Sequence, residues 1–108
     1  MSKKIEFKNP YWSEKMKLEY LQRYILVHSY LYYVLDNSVI SDKQYDVVSM
    51  QLVDMMSNMS KEDIEKSKYN YVMYDFDGST GFDLFYRLNE HDKDYIIKIS
   101  NTVLSTKI

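Results

Sequence analysis

The stretch His28-Ser-Tyr-Leu-Tyr-Tyr-Val-Leu-Asp-Asn-Ser-Val-Ile-Ser-Asp-Lys-Gln-Tyr-Asp46 decides the fold. Leading into it, Leu18, Leu21, Ile25, His28, Tyr32 and Leu35 recur at three- and four-residue steps, while Lys17, Glu19, Gln22 and Arg23 take other faces. That spacing predicts one amphipathic helix from Lys15 to Leu35 with Ser13 as its N-cap. Asp36, Asn37 and Ser38 supply a turn. Ser41 and Gln44 then have the spacing of a capping box, in which the Ser hydroxyl takes one orphan backbone N–H and the Gln amide reaches back to another. Tyr45, Val48, Leu52, Met55 and Met59 continue at three and four, which predicts a second helix over residues 42–57 packed antiparallel on the first. The stretch is therefore a helical hairpin, and tyrosines and carboxylates converge at its corner.

Residues 1–12 read as an arm, in which Pro10 favours extended backbone before it and Tyr11 and Trp12 pin the arm to the core. Beyond the hairpin, Ser60 caps a short, strongly charged helix over Lys61 to Lys68. Tyr69 to Tyr74 alternates like a strand but has no partner strand, so it is expected to lie extended over the helices. Asp75-Phe-Asp-Gly-Ser-Thr-Gly81 holds both glycines and must be a loop. Thr80 is placed to cap a helix over Phe82 to Leu88, with Phe82, Leu84, Phe85 and Leu88 as core candidates. Asn89 caps a final helix whose buried face is Ile96, Ile99 and Val103. The expected architecture is all-α: one domain over 1–108, made of the arm, the hairpin at 13–57 and a helical extension at 58–108 with two or three further helices.

Composition narrows the function. Hydrophobic residues make up 45% and charged residues 28%, as in an ordinary globular protein. Twelve Tyr, four Phe and one Trp stand against two Gly and one Pro, which favours long helices over turn-rich folds. The net charge of −2 leaves no basic footprint for nucleic acid. Without cysteine there are neither disulfides nor thiolate metal sites, and His28, on an apolar stripe far from His91, reads as a packed residue and not a zinc ligand. No apolar run approaches the roughly 20 residues of a membrane span and the start lacks a signal-peptide core, so a cytoplasmic location is expected.

The corner carries the chemistry. Asp42 and Asp46 lie four apart on one helix face with Tyr45 between them, next to Tyr32 and Tyr33. Acidic residues in a first helical turn also serve the macrodipole, and terminal tyrosines are commonly core and rim. Taken together, Tyr32-Tyr33-x-x-Asp36 and Ile40-x-Asp42-x-x-Tyr45-Asp46 resemble the N-terminal helical domain, called Ia, of bacterial NAD-dependent DNA ligases. That likeness covers residues 14 to 57. It lacks only the family's usual Pro in the turn, near whose place stands Ser38, an exchange expected to loosen the corner.

The resemblance implies that Tyr32, Tyr33, Asp42, Tyr45 and Asp46 bind the nicotinamide mononucleotide (NMN) half of NAD, which in that family is held against a separate adenylation domain. Tyrosine faces attract a flat cationic ring, and carboxylates balance its charge and accept from ribose hydroxyls. Catalysis is not expected: the ligase Lys-x-Asp-Gly motif has only Asp75-Phe76-Asp77-Gly78 as its nearest counterpart, and a carboxylate cannot form the phosphoramide that carries AMP. Nor does that string have the later acidic ligand of a calcium loop. The likeness thus implies a stand-alone, non-catalytic NMN- or NAD-binding module. Two alternatives stand beside it: a protein-interaction or inhibitor module, of the kind phage genomes encode, reusing the hairpin against a host enzyme; and a trans-acting subunit that completes a separately encoded ligase adenylation domain.

Overall fold

The fold is built around one helix, and the structure, a computed structural model, describes it through residues 2–79 and 81–106. Helix α1 (Glu14–Ser29) starts where expected, with the Ser13 hydroxyl accepting from the Met16 N–H at 3.1 Å. Its first half is amphipathic, but from Ile25 to Leu31 every residue is buried. A helix covered all round needs partners on several sides. Helix α2 (Asp42–Asn58) supplies one, and the short α5 (Leu84–Arg87) and the long α6 (Glu90–Ser105) supply the others.

The expected continuous helix to Leu35 is not what forms. After Ser29 the ladder widens into a single π-turn over Tyr30–Val34, closed by the Leu35 N–H donating to the Tyr30 carbonyl at 3.1 Å. One residue is added to the turn, so side chains beyond it rotate off the apolar stripe. Tyr30 and Leu31 become buried, whereas Tyr32 and Leu35, expected on the inner face, stand 45% and 39% exposed. Such π-turns occur often at functional sites. Asp36 then takes a left-handed conformation, φ 50°, and the Asn37 N–H donates back to the Leu31 carbonyl at 2.8 Å, which ends the helix.

Ser41 caps α2 by accepting from the Gln44 N–H at 3.0 Å, but the other half of the capping box does not form. The Gln44 amide instead pairs with the arm, accepting from the Lys3 N–H and donating to the Lys3 carbonyl, both at 2.8 Å. Gln51, two turns on, does the same to Ile5 at 2.8 and 2.9 Å. Two side-chain amides thus satisfy an extended backbone that has no strand to pair with. Phe7, Trp12 and Tyr20 close the arm as an aromatic cluster with centroids 5.6 to 5.8 Å apart. Tyr11, expected to share that task, is 89% exposed.

In the extension, Ser60 caps a helix α3 (Lys61–Glu65) shorter than expected. The segment read as extended, Tyr69 to Tyr74, is instead a helical turn, α4 (Asn70–Met73). Its buried residues are Tyr69, Val72 and Met73, at positions i, i+3 and i+4, with Tyr71 and Tyr74 outside, so helical spacing prevailed over the apparent alternation. Helix α5 is shorter than the expected Phe82 to Leu88, and Phe82, read as core, is 59% exposed. The cap expected at Thr80 lies outside the described residues. Asn89 caps α6 as expected, its Oδ1 accepting from the Asp92 N–H at 2.8 Å. On α6 Ile96 is fully buried, Ile99 and Val103 only partly, and Asp92 and Ser100 share the inner face.

All the described elements are helical, which establishes the all-α class. Residues of the extension, among them Tyr69, Val72, Leu84, Phe85 and Ile96, join Leu18, Leu21, Ile25 and Leu31 of α1 and Leu52 of α2 in one buried cluster. No helix among the described residues is long and apolar enough to cross a membrane.

Candidate functional site

The π-turn, the connecting turn and the start of α2 enclose an open cavity of about 260 Å³ at the corner of the hairpin. Its walls are His28, Tyr32, Tyr33, Ser38, Ile40, Ser41, Asp42, Tyr45, Asp46 and Ser79. All five residues singled out from the sequence are therefore brought to one place. Tyr32 and Tyr33 meet edge to face with centroids 4.7 Å apart and keep 45% and 41% of their surface exposed. It is the π-turn that sets them outward; a continued α-helix would have turned Tyr32 towards the core. Asp42 and Asp46, one turn apart at the start of α2, are exposed carboxylates at the rim.

Tyr45 differs from the other two tyrosines. Its ring forms part of the wall, but its hydroxyl is engaged with Ser29 Oγ at 2.8 Å, tying α2 to α1. Burial raises its pKa, an effect partly offset by the Ser29 hydrogen bond. Gly81 lies directly over this pair: a Cβ there would collide with the Tyr45 hydroxyl and with Ser29 Oγ, and would stand 3.0 Å from Leu84 Cδ1. Glycine is required at this position by close approach.

Ser38 donates through its hydroxyl to the Ile40 carbonyl at 2.7 Å, and it also lines the cavity. His28 is packed, as read from the sequence, with 8% exposure and its ring 4.4 Å from that of Tyr24. Burial pushes its pKa down to about 4, so the imidazole is neutral at neutral pH. His28 is also a wall, a role its sequence position did not by itself disclose, shared between the corner cavity and a second one of about 210 Å³ lined by Tyr20, Arg23, Tyr24, Val27, Ile99 and Val103. Its place on the stripe four residues before Tyr32 was the available signal.

Ser38, Ile40 and Ser41 of the connecting turn are further lining residues not assigned to the site from the sequence, and Ser79 reaches it from the extension. Gly78, at φ +88°, turns the loop against Met50 and Val53 of α2, and Asp77 Oδ1 accepts from both the Ser79 N–H at 2.9 Å and its hydroxyl at 2.6 Å. Phe82 then sets its ring edge-on to Tyr33, with centroids 6.5 Å apart. Asp75 is paired with Arg87 at 2.6 Å, which holds its carboxyl below the usual range. Among the described residues no group of His, Cys, Asp and Glu could hold a metal ion.

Fold and site together define a small all-helical module that presents an aromatic and acidic pocket at a helix–turn–helix corner. Residues 12–63 match the model of the family described as the DNA ligase-like, N-terminal NAD+-binding domain. That segment runs from the end of the arm through α1, the π-turn, the corner and α2 into α3, and it contains every pocket residue except Ser79. That segment, just under half of the chain, is therefore similar to a domain of the ligase Ia type, in keeping with the corner motif. No curated protein and no solved structure matches the chain.

Proposed function

We propose that the protein is a non-catalytic module that binds the nicotinamide mononucleotide part of NAD in the corner pocket. The observation that carries this reading is the convergence of Tyr32, Tyr33, Asp42, Tyr45 and Asp46 on one open cavity within the segment that matches an NAD+-binding domain family. The volume supports a part of the dinucleotide: about 260 Å³ lies just below the range of roughly 300–1,000 Å³ typical of drug-sized ligands, enough for a ring and its ribose and too small for NAD entire. Each tyrosine face offers the cationic ring about 0.5–2 kcal/mol, and the two carboxylates accept from ribose hydroxyls. Binding and orientation need no nucleophile.

Titration calorimetry with NMN on wild type, Tyr32→Ala and Asp46→Asn tests the proposal. Both side chains are exposed, so these variants keep the fold. Tyr45→Ala is the poorer choice, because it also removes the bond to Ser29. Each variant is expected to weaken binding by a factor of about 2 to 30. Affinities identical to wild type would count against the pocket.

A second reading, a protein-interaction role, draws support from the exposed rings of Tyr32, Tyr33 and Phe82 around the pocket mouth. On that reading a partner closes over the site, and a separately encoded adenylation domain is the partner to try. Self-adenylation restored on mixing with a ligase lacking its own Ia domain would reveal it.

A further inference from the structure

Resting on the reading of the corner pocket as a nicotinamide site, we infer that the ligand it selects is the cationic pyridinium nucleoside, with the 5′-phosphate unrecognised. Nicotinamide riboside, or another N-ribosylated pyridinium without phosphate, is then the better ligand for this chain by itself.

The inference comes from the charges on the walls. Asp42 and Asp46 put two carboxylates on the rim, and none of the described lining residues is Lys or Arg. His28, the one titratable nitrogen among the described lining residues, is held neutral at neutral pH by its burial. The remaining lining groups are hydroxyls, tyrosine rings and one Ile side chain. Such a field attracts the ring cation and repels a phosphate dianion placed on the same ligand.

Among the described elements that line the cavity, the N-terminus of α2 could attract an anion. Its positive end is already met by the Ser41 hydroxyl, which accepts from the Gln44 N–H, and by Asp42 in the first turn. Of the cations that the structure places in ion pairs or over rings, none lines this cavity; Arg23, over Tyr20, lines the neighbouring one, while Lys68 lies over Tyr69 and Tyr95 and Arg87 between Asp75 and Asp83. A phosphate carried by the ligand therefore points to solvent or to a cation on a partner.

Titration of the full chain with three probes tests this: nicotinamide riboside, NMN, and nicotinic acid riboside, whose ring carboxylate cancels the ring charge. Nicotinamide riboside is expected to bind at least as tightly as NMN and about fivefold more tightly than nicotinic acid riboside. Added salt should weaken nicotinamide riboside while bringing the first two affinities together. Asp46→Asn should reduce the preference for the amide riboside over the acid. NMN binding more tightly than nicotinamide riboside would overturn the inference and leave the nicotinamide reading standing. Failure of all three probes to bind would overturn both.

Discussion

Gly81→Ala probes how the extension is fastened to the site. The new methyl would collide with the Tyr45 hydroxyl and Ser29 Oγ, which are hydrogen-bonded to each other at 2.8 Å, and would crowd Leu84 Cδ1 at 3.0 Å. Two costs add. Separating a half-buried hydroxyl pair loses about 1 kcal/mol, and forcing a methyl into packed surroundings costs about 1–3 kcal/mol. The expected destabilisation is therefore about 2–4 kcal/mol, measured by urea unfolding as a lower midpoint at unchanged slope. In a domain of this size that corresponds to a fall in Tm of roughly 10–25 °C. The mechanism has its own signature in a double-mutant cycle. Tyr45→Phe removes one of the atoms the methyl meets, so Gly81→Ala should cost about 1 kcal/mol less in the Tyr45→Phe background. A Gly81→Ala variant within about 0.5 kcal/mol of wild type, or a cost that is the same in both backgrounds, would refute the reasoning.

Two further outcomes concern buried polar groups. Because burial lowers the His28 pKa from 6.5 to about 4, the unfolded chain takes up a proton at this ring before the folded chain does. Stability due to neutral His28 is complete above pH 6.5 and is lost as pH falls towards 4, by about 3 kcal/mol in all; the difference between the pH–stability curves of wild type and His28→Gln should show this slope, and parallel curves would contradict it. Tyr71 donates at 2.6 Å to the carboxylate of Asp92, itself only 4% exposed, so Tyr71→Phe strands a buried carboxylate oxygen. It should destabilise by about 1.5–3 kcal/mol in chemical denaturation, and a neutral result would mean that water replaces the hydroxyl.

The long helices were legible because their signals are local. Ser13, Ser41, Ser60 and Asn89 each cap the helix assigned to them, accepting from the N–H three residues on at 2.8 to 3.1 Å. The apolar spacing of α1 and α2 placed most of their inner faces, but not Gln22, which was read onto another face and is fully buried. The hairpin motif gathered the corner residues because turn length and the start of α2 were both written into Asp36 to Asp46, although the phase of the preceding helix was not. What failed depended on contacts distant in sequence. Gln44 abandoned its capping box for the backbone of Lys3, a partner 41 residues away. Alternation at Tyr69 to Tyr74 gave way to helical spacing once Tyr69, Val72 and Met73 had a core to enter. The π-turn has no simple sequence mark, since Tyr30 and Leu31 are buried by the extension and the tyrosines after them are displaced outward as a consequence. Ser79 was missed for a similar reason: only the packing of Gly78 on Met50 and of Gly81 on Tyr45 brings that loop to the pocket.

Those two glycine contacts also give the extension a role at the site. The matched domain ends at residue 63, yet Ser79 lines the cavity and Phe82 touches Tyr33. The loop adds a wall to a pocket that would otherwise be bounded by the hairpin alone.

The central claim is that this corner binds a nicotinamide nucleotide, and an NMR titration of isotopically labelled protein with NMN tests it most directly. Saturable shifts are expected at the amides of Tyr32, Asp42, Asp46 and Ser79, lost in Asp46→Asn while the rest of the spectrum is preserved. An unchanged spectrum of the folded protein at millimolar NMN, or shifts away from the corner that persist in Asp46→Asn, would contradict it.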